Sequence, residues 1–260
     1  MKEKFRNAND LLKLAELNSY ITAHYFNFPK SGELSLKVFS QHNEDGLIFY
    51  LLGELGLHPD KVNFCEIGIQ DGLECNTAYL LLNGAKGMWI DCDRKATETA
   101  KIYYHNCLDS KLNISTKLVS KNNINDLVKS DVNFLSIDID GNDYQVLESL
   151  IHQPDVICVE YNGNIPWGIN YVQPEDEFIN HKLHPMRWGS SLFAFCNLMT
   201  QKGYSFFCTD VSNTNAFFVK STAQLGKLCS EVNSFPQVEF RNWRTISKGE
   251  KLQLIKMVYG

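Results

Sequence analysis

Three groups of side chains in this sequence have the types and spacing that chemistry needs. The first is Asp138-Ile139-Asp140-Gly141-Asn142, at the end of one apolar run, with Glu160-Tyr161-Asn162 at the end of the next. Side chains alternate along a strand, so Asp138 and Asp140 fall on one side while the isoleucines face away. If the two runs are neighbouring parallel strands, Glu160 and Asn162 stand at the same edge. Like charges that close require a divalent cation, a bound proton or strong hydrogen bonds. The oxygen-only set Asp138, Asp140, Glu160 and Asn162 suits Mg²⁺ or Mn²⁺ better than zinc. Without a metal, Asp138 is itself a candidate base. The plainer reading is a turn in which Asp140 and Asn142 cap the following helix.

The second group is the turn Glu66-Ile67-Gly68-Ile69-Gln70-Asp71-Gly72. Its small residues let a ligand approach the backbone between a strand and a helix. The pattern differs from the dinucleotide GxGxxG, and a tight turn with a salt-linked Glu reads equally well. The third is Asp91, which ends the run Gly87-Met88-Trp89-Ile90, where a carboxylate can accept both hydroxyls of a ribose. A solvated acid at a strand end is the alternative. His181 and His184 lie in an aromatic segment after Glu160 and are candidate general bases, set against ordinary surface or packing roles.

These groups need elements to hold them. Strand-length apolar runs cover residues 62–67, 87–90, 115–119, 132–137 and 156–160, each bounded by turn residues. Helix-period segments lie between them at 75–82, 95–104, 122–128 and 143–151. That alternation predicts an α/β fold with a doubly wound, mostly parallel sheet. A helix over 190–201 and strands over 204–209 and 215–220 complete it, the last pair antiparallel. Ligands of such sheets bind beyond the carboxyl ends of the strands, which is where the acids fall.

The chain has 260 residues, a size for one enlarged domain, assigned here to 39–220. Residues 162–189 read as a lid or acceptor insertion, 1–38 as an N-terminal helical extension and 221–260 as a C-terminal one. In the N-terminal part, Leu11, Leu14 or Leu17, Ile21 and Tyr25 recur at helical spacing; core packing is the first reading of that helix and a homo-oligomer contact the second. A net charge of -5 gives no reason to expect nucleic acid or an anionic membrane as partner. Neither a secretory signal nor a membrane span is expected, and the 8 cysteines, without CxxC spacing, read as buried free thiols in a reducing cytoplasm.

Ser40-Gln41-His42-Asn43-Glu44-Asp45-Gly46, Asp71-Gly72 with Glu74-Cys75-Asn76-Thr77, the run from Ser136 to Tyr144, and Glu160-Tyr161-Asn162 together resemble the FkbM-like S-adenosylmethionine-dependent methyltransferases. The resemblance spans roughly residues 39–220. It implies a class I methyltransferase fold acting mostly on hydroxyls of sugars or glycan-linked small molecules, often in bacterial surface-polysaccharide pathways such as capsule synthesis. Carried over, Glu66, Gly68, Asp71 and Gly72 would receive the methionine end of the cofactor, Asp91 its ribose, the turn containing Ser120 and Asn122 its adenine, and Gln41 and Thr77 its carboxylate. The acids at the fourth and fifth strand ends are similar to the cation site of metal-dependent O-methyltransferases. Three other classes compete: N-methylation of a small amine or amide, a DxDG phosphatase with Asp138 as nucleophile, and a noncatalytic nucleoside-binding module. The phosphatase loop normally follows the first strand of its domain, whereas here it follows the fourth.

Overall fold

The computed structural model describes residues 34, 36–165, 168–175, 179, 187–210, 212–221 and 248–259. The expected N-terminal helix, His181, His184 and Cys229 lie outside them. Seven strands form one sheet: β1 (Asn63–Ile67), β2 (Lys86–Asp91), β3 (Leu112–Thr116), β4 (Phe134–Ile137), β5 (Val156–Glu160), β6 (Tyr204–Thr209) and β7 (Asn215–Lys220). Their order is β3-β2-β1-β4-β5-β7-β6. The first five are parallel, and β7 runs antiparallel between β5 and β6.

Helices cover both faces, so β4 is buried throughout, Ser136 included. On one face α1 (Glu44–Glu54), α2 (Ala78–Leu82), α3 (Arg94–Tyr103) and the C-terminal α7 (Lys248–Tyr259) enclose a core with Phe64, Trp89, Phe134 and Phe217. On the other, α4 (Ile124–Leu127), α5 (Asp143–Ser149) and α6 (Leu192–Gln201) pack on Ile67, Ile137, Val159 and Phe218. Each fully buried side chain of this size contributes about 1.5–3 kcal/mol. Among the described residues no helix is long and apolar enough to cross a membrane.

Three differences from the sequence reading have physical causes. β3 starts earlier than expected because Leu112, fully buried, pairs with Gly87, whereas Leu118 at the end of the expected run is 73% exposed. Helix α1 shows no period, because Leu47 through Leu52 are all buried and no polar face interrupts them. Cys92 is exposed, against the expectation of buried thiols, since it follows the last residue of β2.

The strand ends are brought together by a close backbone approach. Gly68 has φ +90°, and a Cβ there would lie 1.6 Å from the Asp138 carbonyl oxygen. Only glycine tolerates both the conformation and the contact. Gly68→Ala should therefore destabilise the protein by more than about 3 kcal/mol, seen as a lower denaturant midpoint, with partial or complete loss of the folded state. A midpoint equal to wild type would refute this role.

Candidate functional site

The cleft opens at the carboxyl ends of β1, β2 and β4 and has a volume of about 220 Å³. Its walls are Ile67, Gly68 and Gln70 after β1, Asp91 and Cys92 after β2, Lys117, Leu118 and Val119 after β3, and Asp138, Ile139, Asp140 and Asn142 after β4.

Asp91 faces this cleft while its carboxylate already steadies two loops, accepting from Gln70 N–H at 2.8 Å and from Asp93 N–H at 2.8 Å. Each carboxylate oxygen keeps a further acceptor position. Gly68 lines the cleft directly, and Gly72 (φ +79°) packs where a Cβ would meet Trp89 and Tyr104. Asp71 is held by Lys248 at 3.0 Å.

Glu66 plays a different part from the cofactor contact expected of it. It is 4% exposed, and its two oxygens accept from Asn76 N–H (2.6 Å), Thr77 N–H (2.8 Å) and the Thr77 hydroxyl (2.5 Å). It thereby anchors the start of α2, and its burial raises its pKa to about 7. Thr77 is fully buried and also accepts from Trp89 Nε1 at 2.7 Å, so it supports the turn from behind. Gln41 is exposed in the loop before α1, where its carbonyl accepts from Lys37. Ser120 and Asn122 lie just past the cleft: Ser120 N–H donates to Asn123, Asn122 is exposed, and the residues that reach the cleft are 117–119.

At the other side, one carboxylate oxygen from each of Asp138, Asp140 and Glu160 lies within 4.8 Å of the others. Asp138 and Glu160 share a hydrogen bond. Burial raises both pKa values, helped at Glu160 by the charge of Asp138 and at Asp138 by those of Asp143 and Asp140, so the pair shares a proton. Glu160 Oε2 is buried and has no hydrogen-bond partner. Asn162, the fourth ligand expected here, is fully buried. Its amide donates to the Trp188 carbonyl at 2.5 Å and its Oδ1 accepts from Asn164 N–H, tying the segment after β5 to the residues before α6.

The turn after β4 is held by Asp143, which the sequence reading passed over. Its carboxylate accepts from Ile139 N–H and Gly141 N–H, both at 2.9 Å, and burial raises its pKa to about 6. Asn142 makes no side-chain cap to α5, and Asp140 adopts φ +58° in the turn. The spacing of Asp143 to the loop amides is an Asx-type signal that could have identified it.

A second polar group adjoins the acids. Asn215 pairs with Glu160 across β5 and β7, and its amide donates to Glu44 at 2.7 Å. Glu44 also accepts from His42 N–H at 2.7 Å, and its carboxyl is raised to about 7, mainly by burial and secondly by Asp210. Nearby, Asp45 accepts from the N–H groups of Val38, Phe39 and Ser40 and from the Ser40 hydroxyl, fixing the loop before α1.

The Glu44 shift fixes a sign. Its folded pKa of about 7 lies above the ordinary 4.5, so the folded state is favoured by protonation. The corresponding stability is complete below pH 4.5 and is lost as pH rises through about 7. Relative to wild type, Glu44→Gln should lack this loss, a difference on the order of 3 kcal/mol between those limits, read from denaturant titrations at several pH values. Parallel stability profiles for the two proteins would count against it.

Comparison with known proteins adds two findings and one absence. A family model described as the Methyltransferase FkbM domain matches residues 41–206. A Staphylococcus aureus structure named as a candidate caffeoyl-CoA O-methyltransferase is 15% identical, with 83% of this chain and 100% of that chain covered at a TM-score of 0.50, and this shows the fold. An O-methyltransferase from Bacillus cereus in complex with SAH is 13% identical over 84% of this chain and 94% of its own, with a TM-score of 0.44. A magnesium protoporphyrin IX methyltransferase from Synechocystis PCC 6803 with bound SAM is 12% identical over 84% of this chain and 100% of its own, with a TM-score of 0.45. No curated protein matches in sequence.

Proposed function

The chain belongs to the FkbM family of S-adenosylmethionine-dependent methyltransferases, and from that premise we propose that it methylates a hydroxyl of a sugar or glycan-linked small molecule, as in bacterial surface-polysaccharide synthesis. The observation that carries the oxygen-directed chemistry is the proton-sharing pair of Asp138 and Glu160 beside the cleft. The acceptor class itself is supported by the family resemblance.

The cofactor fits the residues present. Asp91 offers free acceptor positions to ribose hydroxyls, Gly68 exposes backbone, and Leu118 and Val119 give the adenine end an apolar wall. Bound S-adenosylmethionine supplies an electrophilic methyl on a sulfonium. The protein's work is then alignment of the acceptor oxygen and removal of its proton. Asp138 is the group that takes that proton. A proton shared between Glu160 and Asp138 keeps the pair from carrying two charges. Asp143 holds the backbone around Asp138 and Asp140.

The same acids fit a hard cation. Their ligand oxygens are mutually within 4.8 Å, all donors are carboxylates, and Glu160 Oε2 is buried without a partner. Asp138, Asp140 and Glu160 would hold Mg²⁺ or Mn²⁺, which would lower the acceptor hydroxyl pKa and orient the oxygen.

Substitution, chelation and an acceptor search test these readings. Asp91→Ala should weaken S-adenosylhomocysteine binding by roughly 1–3 kcal/mol in calorimetry, and unchanged affinity would remove Asp91 from the ribose site. Asp138→Asn should lower turnover by about 10²-fold or more with cofactor binding retained. Turnover lost in EDTA and restored by Mg²⁺ or Mn²⁺ would support the cation, while full turnover after exhaustive chelation leaves Asp138 alone as base. The acceptor can be sought by mass spectrometry of co-purified ligand and by labelled-methyl transfer to glycan or amine acceptors. Transfer to an amine alone would replace the hydroxyl reading.

A further inference from the structure

Helix α7 lies outside residues 41–206 matched by the family model, yet two of its lysines reach the turn after β1. Lys251 is 2% exposed, and its ammonium donates to the carbonyl oxygens of Phe39 at 2.9 Å and Leu73 at 2.6 Å. It stands 3.8 Å from the Glu74 carboxylate. Lys248 lies 3.0 Å from Asp71 and 5.5 Å from the centre of the Tyr103 ring.

Burying an ammonium costs several kcal/mol unless its protons and charge are met. Packing alone does not explain Lys251, since α7 is already seated in the core by Ile255, which is 2% exposed, and by Leu252. An apolar side chain would pack there without the desolvation. What the lysine adds is a link between two separate stretches of chain. Phe39 belongs to the loop before α1, which carries Gln41 and is gripped from its other side by Asp45. Leu73 belongs to the turn that carries Asp71 and Gly72. Burial lowers the Lys251 pKa, opposed by Glu74 and Asp45.

We propose that Lys251, assisted by Lys248, is a positioning residue that pins the turn after β1 to the loop before α1, making α7 a working part of the cofactor site. This rests on the reading that the turn receives the methionine end of S-adenosylmethionine. Without the pin, the Leu73 and Phe39 carbonyls lose a common donor, and the turn and the loop move independently.

The test uses the full chain and S-adenosylhomocysteine as probe. In calorimetry at a temperature where every variant is folded, Lys251→Met should bind the probe about tenfold more weakly, and Lys248→Ala about threefold. Val219→Ala, which truncates a fully buried side chain on β7 away from the turn, serves as control and should lower Tm while leaving affinity at the wild-type value. Wild-type affinity in folded Lys251→Met, with only a lower Tm, would overturn the proposal. If Lys251→Met does not fold, Lys248→Ala decides, and wild-type affinity there overturns it equally. Failure of the wild-type protein itself to bind the probe would instead overturn the cofactor reading.

Discussion

Three carboxyl groups, two half-buried and one exposed, meet at one edge of the sheet, and much of the surrounding structure follows from the need to manage their charge. Asp138 and Glu160 extend from adjacent parallel strands whose register places Ser136 beside Cys158, so neither can move away without breaking the ladder. One proton shared between the two lowers the repulsion, and a cation held by the same oxygens would do so further. The neighbouring loops are arranged to tolerate this: Asp143 occupies the amides of the turn after β4, and Asn162 ties the segment after β5 to the Trp188 carbonyl.

The opposite wall of the cleft has an analogous economy of buried charge. Glu66 satisfies the amides of Asn76 and Thr77 at the start of α2, and Asp45 does the same for the loop before α1. Both acids face the body of the protein. The side chains left facing the cleft are then few, chiefly Asp91, Gln70 and the apolar residues after β3. A site of this form uses fixed backbone and a small number of convergent polar groups, which is how a nucleoside-containing ligand is oriented at a strand-end crevice.

The C-terminal helix ties the turn after β1 to the loop before α1 from outside the matched family region. A buried lysine is an uncommon way to attach a helix, because hydrophobic contacts alone would do it at lower cost. Its carbonyl partners come from chain segments more than thirty residues apart, Phe39 and Leu73, so it constrains their separation in a way that packing against either one would not.

Several features were legible in the amino-acid sequence because they are local. Five apolar runs separated by helical periods, four of them with an acid at the end, specify parallel strands with polar carboxyl ends, whereas the expected alternation of Asp138 and Asp140 with isoleucines stops where β4 does, at Ile137: Ile139 lines the cleft together with both acids, and Asp140 sits in a turn at φ +58°. The motifs around Gln41, Asp71 and Asp138 were sufficient for the family. Burial and partners were decided only by the tertiary structure, since they depend on residues distant in the chain. Glu66 and Thr77 have the types of ligand-binding residues, but the amides that engage Glu66 come from the next turn and the indole that engages Thr77 from β2. Helix α1 left no periodic trace because every face of its central turns is covered. Lys251, one basic residue in a weakly patterned tail, acquired its place only when α7 packed against two loops whose carbonyls no sequence pattern brings together.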